Sequence, residues 1–198
     1  MTAAPAPRVV LGVSGASGAM LAMDCARALR ALGAEVDLVL SPMAGRTLAE
    51  EIGPEARARL TALANRTHAI GDLGAAIASG SCPVAGMIVA PCSMRSLAAI
   101  AHGLDDNLLT RAAGVQLKER RALILLTREA PLTLAHLKNM QAVTEMGAIV
   151  LPPVPAFYLR PASLAEVSAQ IAARAVDLLR IAPASARAWA PGVAGAPG

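Results

Sequence analysis

This 198-residue sequence is almost without aromatic residues, having one Phe, one Tyr and one Trp. It has only three cysteines and three histidines, and 16% of its residues are charged. Each shortage excludes something. Cys25, Cys82 and Cys92 are odd in number and show no CxxC or Cys/His spacing, which removes a disulfide scaffold and a zinc site and predicts reduced thiols, two of them in the core. His68, His102 and His136 are scattered without ligand spacing and read as structural or surface residues, so no metal site is expected. With no aromatics interleaved among bases and no dense basic stripe, the net charge of +4 points to small anionic ligands rather than nucleic acid. Apolar runs such as Met87 to Pro91 and Ala122 to Leu126 stop far short of the roughly 18 residues that span a membrane. Met1 to Arg8 lacks the basic region and apolar stretch of a secretory signal, and the cytoplasm is the expected compartment.

What is present is largely apolar. Hydrophobic residues make up 55% of the chain and the mean hydropathy is +0.52, which excludes a disordered chain and allows one domain a substantial core. Arg8 to Val13 is a β-branched run stopping at Gly12-Val-Ser-Gly-Ala-Ser-Gly18, and Ala19 to Leu32 then has helical apolar spacing that ends at Gly33. Ala34 to Leu40 predicts a second strand running into Ser41 and Pro42, followed by a helix over Met43 to Ile52. A strand over Met87 to Ala90 ends at Pro91-Cys-Ser-Met-Arg-Ser96, with a helix from about Leu97. Ala122 to Leu126 is a strand ending at Thr127-Arg128-Glu129, followed by a helix from near Pro131 to Met146. Ala148 to Leu151 is the last strand, before Pro152-Pro-Val-Pro155 and a helix over Ser163 to Ile181. Strands apolar on both faces and separated by helices predict an α/β fold: a doubly wound, Rossmann-like (flavodoxin-like) parallel sheet with helices on both faces. One domain is expected over 1–182, with an Ala/Pro/Gly-rich tail over 183–198 that is loosely ordered by composition, Trp189 arguing otherwise.

In such a sheet ligands bind beyond the carboxyl ends of the strands. Those ends carry the glycine loop, Ser41, Ser93-Met-Arg-Ser96 and Arg128-Glu129. Gly12, Gly15 and Gly18 let the backbone approach a ligand, and the helix N-terminus after them presents free N–H groups to an anion; a tight packing turn is the alternative. Their spacing of three and three differs from the dinucleotide fingerprint, and Ser41 stands where an acidic ribose partner is expected, Asp37 lying inside the strand. A ligand with one phosphate, such as FMN, is favoured over a nicotinamide dinucleotide. Arg111, Lys118, Arg120 and Arg121 lie near the end of one helical stretch. Seven residues apart, Arg111 and Lys118 share a side and form either a second anion site in the crevice or a solvated basic face. Glu129 directly follows Arg128 after a strand, where a carboxylate acts as general acid or base or as a helix N-terminal charge. Glu50 and Glu51 end the second helical segment.

Taken together, the glycine loop, Ala78-Ser-Gly-Ser81, Pro91-Cys-Ser93, Leu117-Lys-Glu-Arg-Arg121, Arg128-Glu-Ala-Pro131 and Pro152-Pro-Val-Pro-Ala-Phe-Tyr158 resemble the UbiX-type flavin prenyltransferases in order and spacing from Arg8 to Ile181. The resemblance implies binding of FMN and, with the flavin reduced, metal-independent transfer of a dimethylallyl group from dimethylallyl phosphate to flavin N5 and C6. It further implies that the prenylated FMN passes to a UbiD-type decarboxylase, and that the assembly is a dodecamer with sites at subunit interfaces. FMN contacts are implied at Gly15, Ala16, Ser17, Ser41, Ser93, Met94, Arg95, Ser96 and Arg128. A prenyl phosphate site is implied at Tyr158 and Arg174, helped by Ser79, Gly80, Arg111 and Lys118. Glu51 and Glu129 match the family's active-site carboxylates, Ser17 and Lys118 join them in the catalytic group, and Trp189 aligns with a C-terminal aromatic near the substrate. Leu159 departs from the family, since many relatives carry His after the Tyr. The rival readings are an FMN-dependent decarboxylase of peptidyl-cysteine, with His68 as its base, a non-catalytic flavin carrier, and a nicotinamide oxidoreductase.

Overall fold

Six strands form one parallel sheet in the computed structural model, which describes residues 5–189. The elements run β1 (Arg8–Val13), α1 (Ala19–Ala31), β2 (Glu35–Leu40), α2 (Pro42–Glu51), α3 (Ala56–Leu63), β3 (Arg66–His68), β4 (Gly86–Cys92), α4 (Met94–Ala101), α5 (Leu108–Lys118), β5 (Ala122–Thr127), α6 (Leu134–Glu145), β6 (Ile149–Val150) and α7 (Leu164–Asp177). The strand order is β3-β2-β1-β4-β5-β6, all parallel, so the direction of winding reverses between β1 and β4 and opens a crevice there.

Side chains alternate along each strand, and the two faces pack two separate cores. Val9, Leu11, Val36, Leu38, Ile88 and Ile124 face α1 and α7; Val10, Val39, Met87, Val89, Leu123 and Leu125 face α4 and α5. Continuous apolar runs such as Leu123–Leu126 are therefore buried on both sides, and the doubly wound architecture is as expected. All three cysteines are free and buried, one more than expected, and burial pushes the Cys25 and Cys92 thiols up to about 12.

Element ends differ from the sequence reading where polar caps act. α4 begins at Met94, not Leu97, because the Ser93 hydroxyl accepts from the Ser96 N–H at 3.3 Å and starts the helix at once. α6 begins at Leu134, where Thr133 and His136 form a reciprocal capping box. α7 stops at Asp177 rather than reaching Ile181, since Arg180 takes a left-handed φ of 56°. β3 was not anticipated, being three polar residues on a sheet edge.

Asp37 is fully buried and ties three strands together. Its carboxylate accepts from Nε and Nη2 of Arg8, the latter at 2.8 Å, and faces Nε2 of His68 at 2.7 Å. Burial works against its charge, yet the Arg8 and His68 hydrogen bonds more than offset this and hold it below the usual carboxylate range. Asp37 is thus spoken for inside the sheet, and His68 is a structural residue.

Candidate active site

The turn after β1 requires glycine at two places. Gly18 caps α1 with φ 108°, a left-handed conformation, and a Cβ on Gly15 would lie 2.3 Å from that of Met43. Gly18 has no side chain to satisfy the first N–H groups of α1. Glu51, the last residue of α2, does this instead: its carboxylate accepts from Gly18 N at 2.9 Å and Ala19 N at 2.8 Å. The helix N-terminus expected to meet a ligand anion is therefore closed by the protein's own anion, because α2 ends directly over it. Burial raises the Glu51 pKa, but bonds from the Ser17 hydroxyl and the Ala19 and Gly18 N–H groups, with the charge of Arg128, outweigh it and keep the group ionised at neutral pH.

Ser17, Glu51 and Arg128 form the polar end of a cavity of about 500 Å³ whose remaining walls include Pro153, Pro155, Leu164 and Ile171. Buried Ser168 lines the same cavity, and its hydroxyl has no hydrogen-bond partner. The extended segment after β6 is a wall with two faces. Pro153 and Pro155 line this cavity, while Pro152, Val154 and Ala156 line a second one of about 380 Å³, and Ile171 borders both.

The second cavity holds Tyr158 and Arg174, as the sequence suggested, and also Arg187, which it did not. Tyr158 sits in a 3₁₀ turn over Phe157–Leu159 and meets Trp189 edge to face, with ring centroids 5.3 Å apart and planes at 88°. Residues 185–187 lie on α7, held by Gln170 and Asp177, so this part of the tail is docked rather than loose; 190–198 lie outside the described residues. The signal for this was Trp189 itself, which a solvated tail does not need.

Between β1 and β4 lies a third cavity of about 600 Å³, lined by Gly15, Ser41, Ser93, Arg95 and Ser96 among others. Ser41 and Ser93 are the caps of α2 and α4, so two helix N-termini converge on this crevice. Ser14 buttresses it, donating to Pro91 O at 2.8 Å and accepting from Ser93 N at 2.8 Å. Arg95 reaches the crevice paired with Asp106. Met94 is partly buried against the second core, and Ala16 is half-buried in the glycine loop.

Two expectations are not met within one chain. Glu129 is exposed and lines none of the three cavities, its carboxylate accepting from Ala130 N at 3.1 Å. Arg111 and Lys118 do share a side of α5 but do not join the crevice. α5 runs opposite to the strands, so Lys118 lies at their amino ends beside Gly80, paired with Glu119, while Arg121 donates to Gly80 O at 2.7 Å and Cys82 O at 2.9 Å. Arg111 is turned to the Ala78 carbonyl at 3.1 Å and to Asp105 at 3.0 Å. Ser79, Gly80 and Lys118 are thus separated from Ser17 and Arg128 by the length of the sheet, about 20 Å for six residues of strand. Among the described residues no group of three or more His, Cys, Asp or Glu side chains gathers as metal ligands would.

Residues 2–172 match the model of the Flavoprotein family. The chain is 50% identical over 182 residues to the flavin prenyltransferase UbiX of Neisseria meningitidis serogroup B, covering 92% of this chain and 96% of the relative. It superposes with a TM-score of 0.89 and 42% identity on the crystal structure of AnUbiX (PadA1) in complex with FMN and dimethylallyl pyrophosphate, over 94% of this chain and 98% of that one. A dodecameric FMN-dependent UbiX-like decarboxylase from Escherichia coli O157:H7 gives 0.87 and 41%, over 92% and 99%. With its glycine loop closed by Glu51 and its aromatic pair set beside the proline wall, the chain belongs to the Flavoprotein family and, within it, to the UbiX-type flavin prenyltransferases.

Proposed function

We propose that this protein binds FMN and, with the flavin reduced, transfers a dimethylallyl group from dimethylallyl phosphate to flavin N5 and C6, giving prenylated FMN. The observation that carries the reading is the Ser17–Glu51–Arg128 constellation at the polar end of an apolar cavity, with the Tyr158–Arg174 cavity across the proline wall. The crevice fits a flavin phosphate: its hydroxyls, Arg95 and two helix N-termini supply donors, and Gly15 permits close approach. In this reading Ser41, Ser93, Ser96 and Arg95 hold the phosphate, and Gly15, Ala16, Ser17, Met94 and Arg128 border the ring system. Reduced FMN supplies the nucleophilic positions. Glu51, ionised and bonded to Ser17, is the base that receives a proton through that hydroxyl.

Tyr158 and Arg174 meet the charge that grows on the leaving phosphate, a task fixed cations and donors perform without a metal in this scheme. Glu129, beside Arg128, donates a proton to that phosphate when it is itself in the protonated form. Lys118, with Ser79 and Gly80, acts from a second copy, since its own chain holds it at the opposite end of the sheet, and Arg111, turned to Ala78 O and Asp105 and so away from its own crevice, acts with them. This supports a homo-oligomer, read as a dodecamer like the E. coli relative. The product goes to a UbiD-type decarboxylase in the cytoplasm; no helix among the described residues is long and apolar enough to cross a membrane. The peptidyl-cysteine decarboxylase reading loses its base, because His68 is committed to Asp37.

Anaerobic incubation with reduced FMN and dimethylallyl phosphate is expected to release inorganic phosphate and yield a flavin one prenyl unit heavier by mass spectrometry. Bound FMN with neither product would favour the carrier reading.

A further inference from the structure

Residues 184–189 cross α7 as a strap fixed at two points. The Asp177 carboxylate takes the upstream point: Oδ1 accepts from Ser185 N at 2.8 Å and from its hydroxyl at 3.2 Å, and Oδ2 accepts from Ala186 N at 2.9 Å. The Gln170 amide takes the downstream point with a pair of bonds, donating to Arg187 O at 2.9 Å and accepting from Arg187 N at 3.1 Å. The Gln170 pair has the form of a strand ladder, a side-chain amide standing in for a neighbouring peptide.

Gln170, Arg174 and Asp177 stand at i, i+4 and i+7, one stripe of the helix. Arg174 therefore lies between the two clamps, in the cavity that Gln170, Asp177 and Arg187 also line. Two residues beyond the second clamp the strap delivers Trp189 edge-on to Tyr158. A strap that is half alanine, exposed at both ends, has little packing of its own to hold it there, and Trp189 is 65% exposed.

We propose that Gln170 and Asp177 are positioning residues for the prenyl donor: they clamp the 184–189 strap along α7, which sets Trp189 against Tyr158 and Arg187 at the rim of the Tyr158–Arg174 cavity. The proposal rests on the prenyltransferase reading for the identity of the donor, while the clamp itself is a matter of geometry. The two residues act on the donor through the strap, and the flavin crevice at Ser41 and Ser93 lies outside their reach.

The test uses the full-length protein with Gln170→Ala, Gln170→Glu and Asp177→Asn, read by donor KM, kcat and the fluorescence of the single Trp. Loss of one hydrogen-bonded clamp is expected to raise the KM for dimethylallyl phosphate about fivefold. The kcat at saturating donor is expected to fall by less, and the Trp189 emission of the flavin-free protein to move to longer wavelength. Gln170→Glu keeps the acceptor half of the pair and is expected to fall between wild type and Gln170→Ala. If wild type is active and the variants match it in KM and emission, the clamp is overturned; if they lose FMN affinity and kcat in step with KM, the residues are merely structural and it is equally overturned. A wild type that makes no prenylated flavin defeats the functional reading instead, and the emission shift alone then decides whether the clamp positions Trp189.

Discussion

Glu51 shows how one set of bonds fixes both a local fold and a charge. Its carboxylate replaces the missing cap of α1, and the same bonds, with Ser17 and Arg128, keep it charged. The folded chain holds this proton more weakly than the unfolded one, so the stability Glu51 contributes is complete above the ordinary carboxylate range and lost as the pH falls through the folded value. Chemical denaturation near pH 7 and about pH 4 should therefore show a smaller loss of stability for Glu51→Gln than for wild type, with Asp37 accounting for part of what remains. Equal losses would remove Glu51 from the pH response. From sequence alone Glu51 is a surface residue closing a helix; only the family resemblance marks it. Its partners Gly18 and Ala19 are more than 30 positions away, and no local signal links them.

At the level of elements, what was readable and what was not divide along burial. β1, β2, β4 and β5 announce themselves because both their faces are buried, whereas β3 has a polar sequence and gains its place by pairing with β2 and by the bond from His68 to Asp37. Strand ends at Ser41 and Ser93 were legible for the same reason that they form the crevice, a small hydroxyl that stops a strand and caps a helix. The shared side of Arg111 and Lys118 on α5 was legible, as an anion site or a basic face, but not the pairing of Lys118 with Glu119 beside Gly80, which depends on a loop far off in sequence. The packing of the glycine loop on α2 makes a sharper demand. Gly15→Ala places a carbon on Met43 and must push α2 outward, costing about 1–3 kcal/mol of stability. Since Ser41 and Glu51 are the two ends of that helix, FMN affinity measured by flavin fluorescence should fall as well; an unchanged affinity would show that α2 does not shape the flavin site.

On the scale of the molecule, the proposed reaction asks Lys118, at the amino ends of the strands, to act with Ser17 and Arg128 at their carboxyl ends, which calls for sites shared between copies. A heterologous contact, amino-end edge of one copy on carboxyl-end edge of the next, joins them without moving either. Lys118→Ala and Arg174→Ala are each expected to be nearly inactive alone. Co-expressed in equal amounts, they should recover on the order of one quarter of wild-type activity, the share of sites in which both contributors are intact. No recovery would mean that each chain works by itself.

The proline segment after β6 has a consequence of its own. Its alternating sides border an apolar cavity with Ile171 and Leu164 and a second cavity with Tyr158 and Arg174, back to back. In the proposed reaction, a donor lying across the edge of that partition would have its carbon and its phosphate sorted before the bond between them breaks, and the two halves would separate into different surroundings. Recombination would then have to carry an alkyl cation past the wall toward an anion already neutralised, so that in the proposed scheme the partition would act as a ratchet for the transfer.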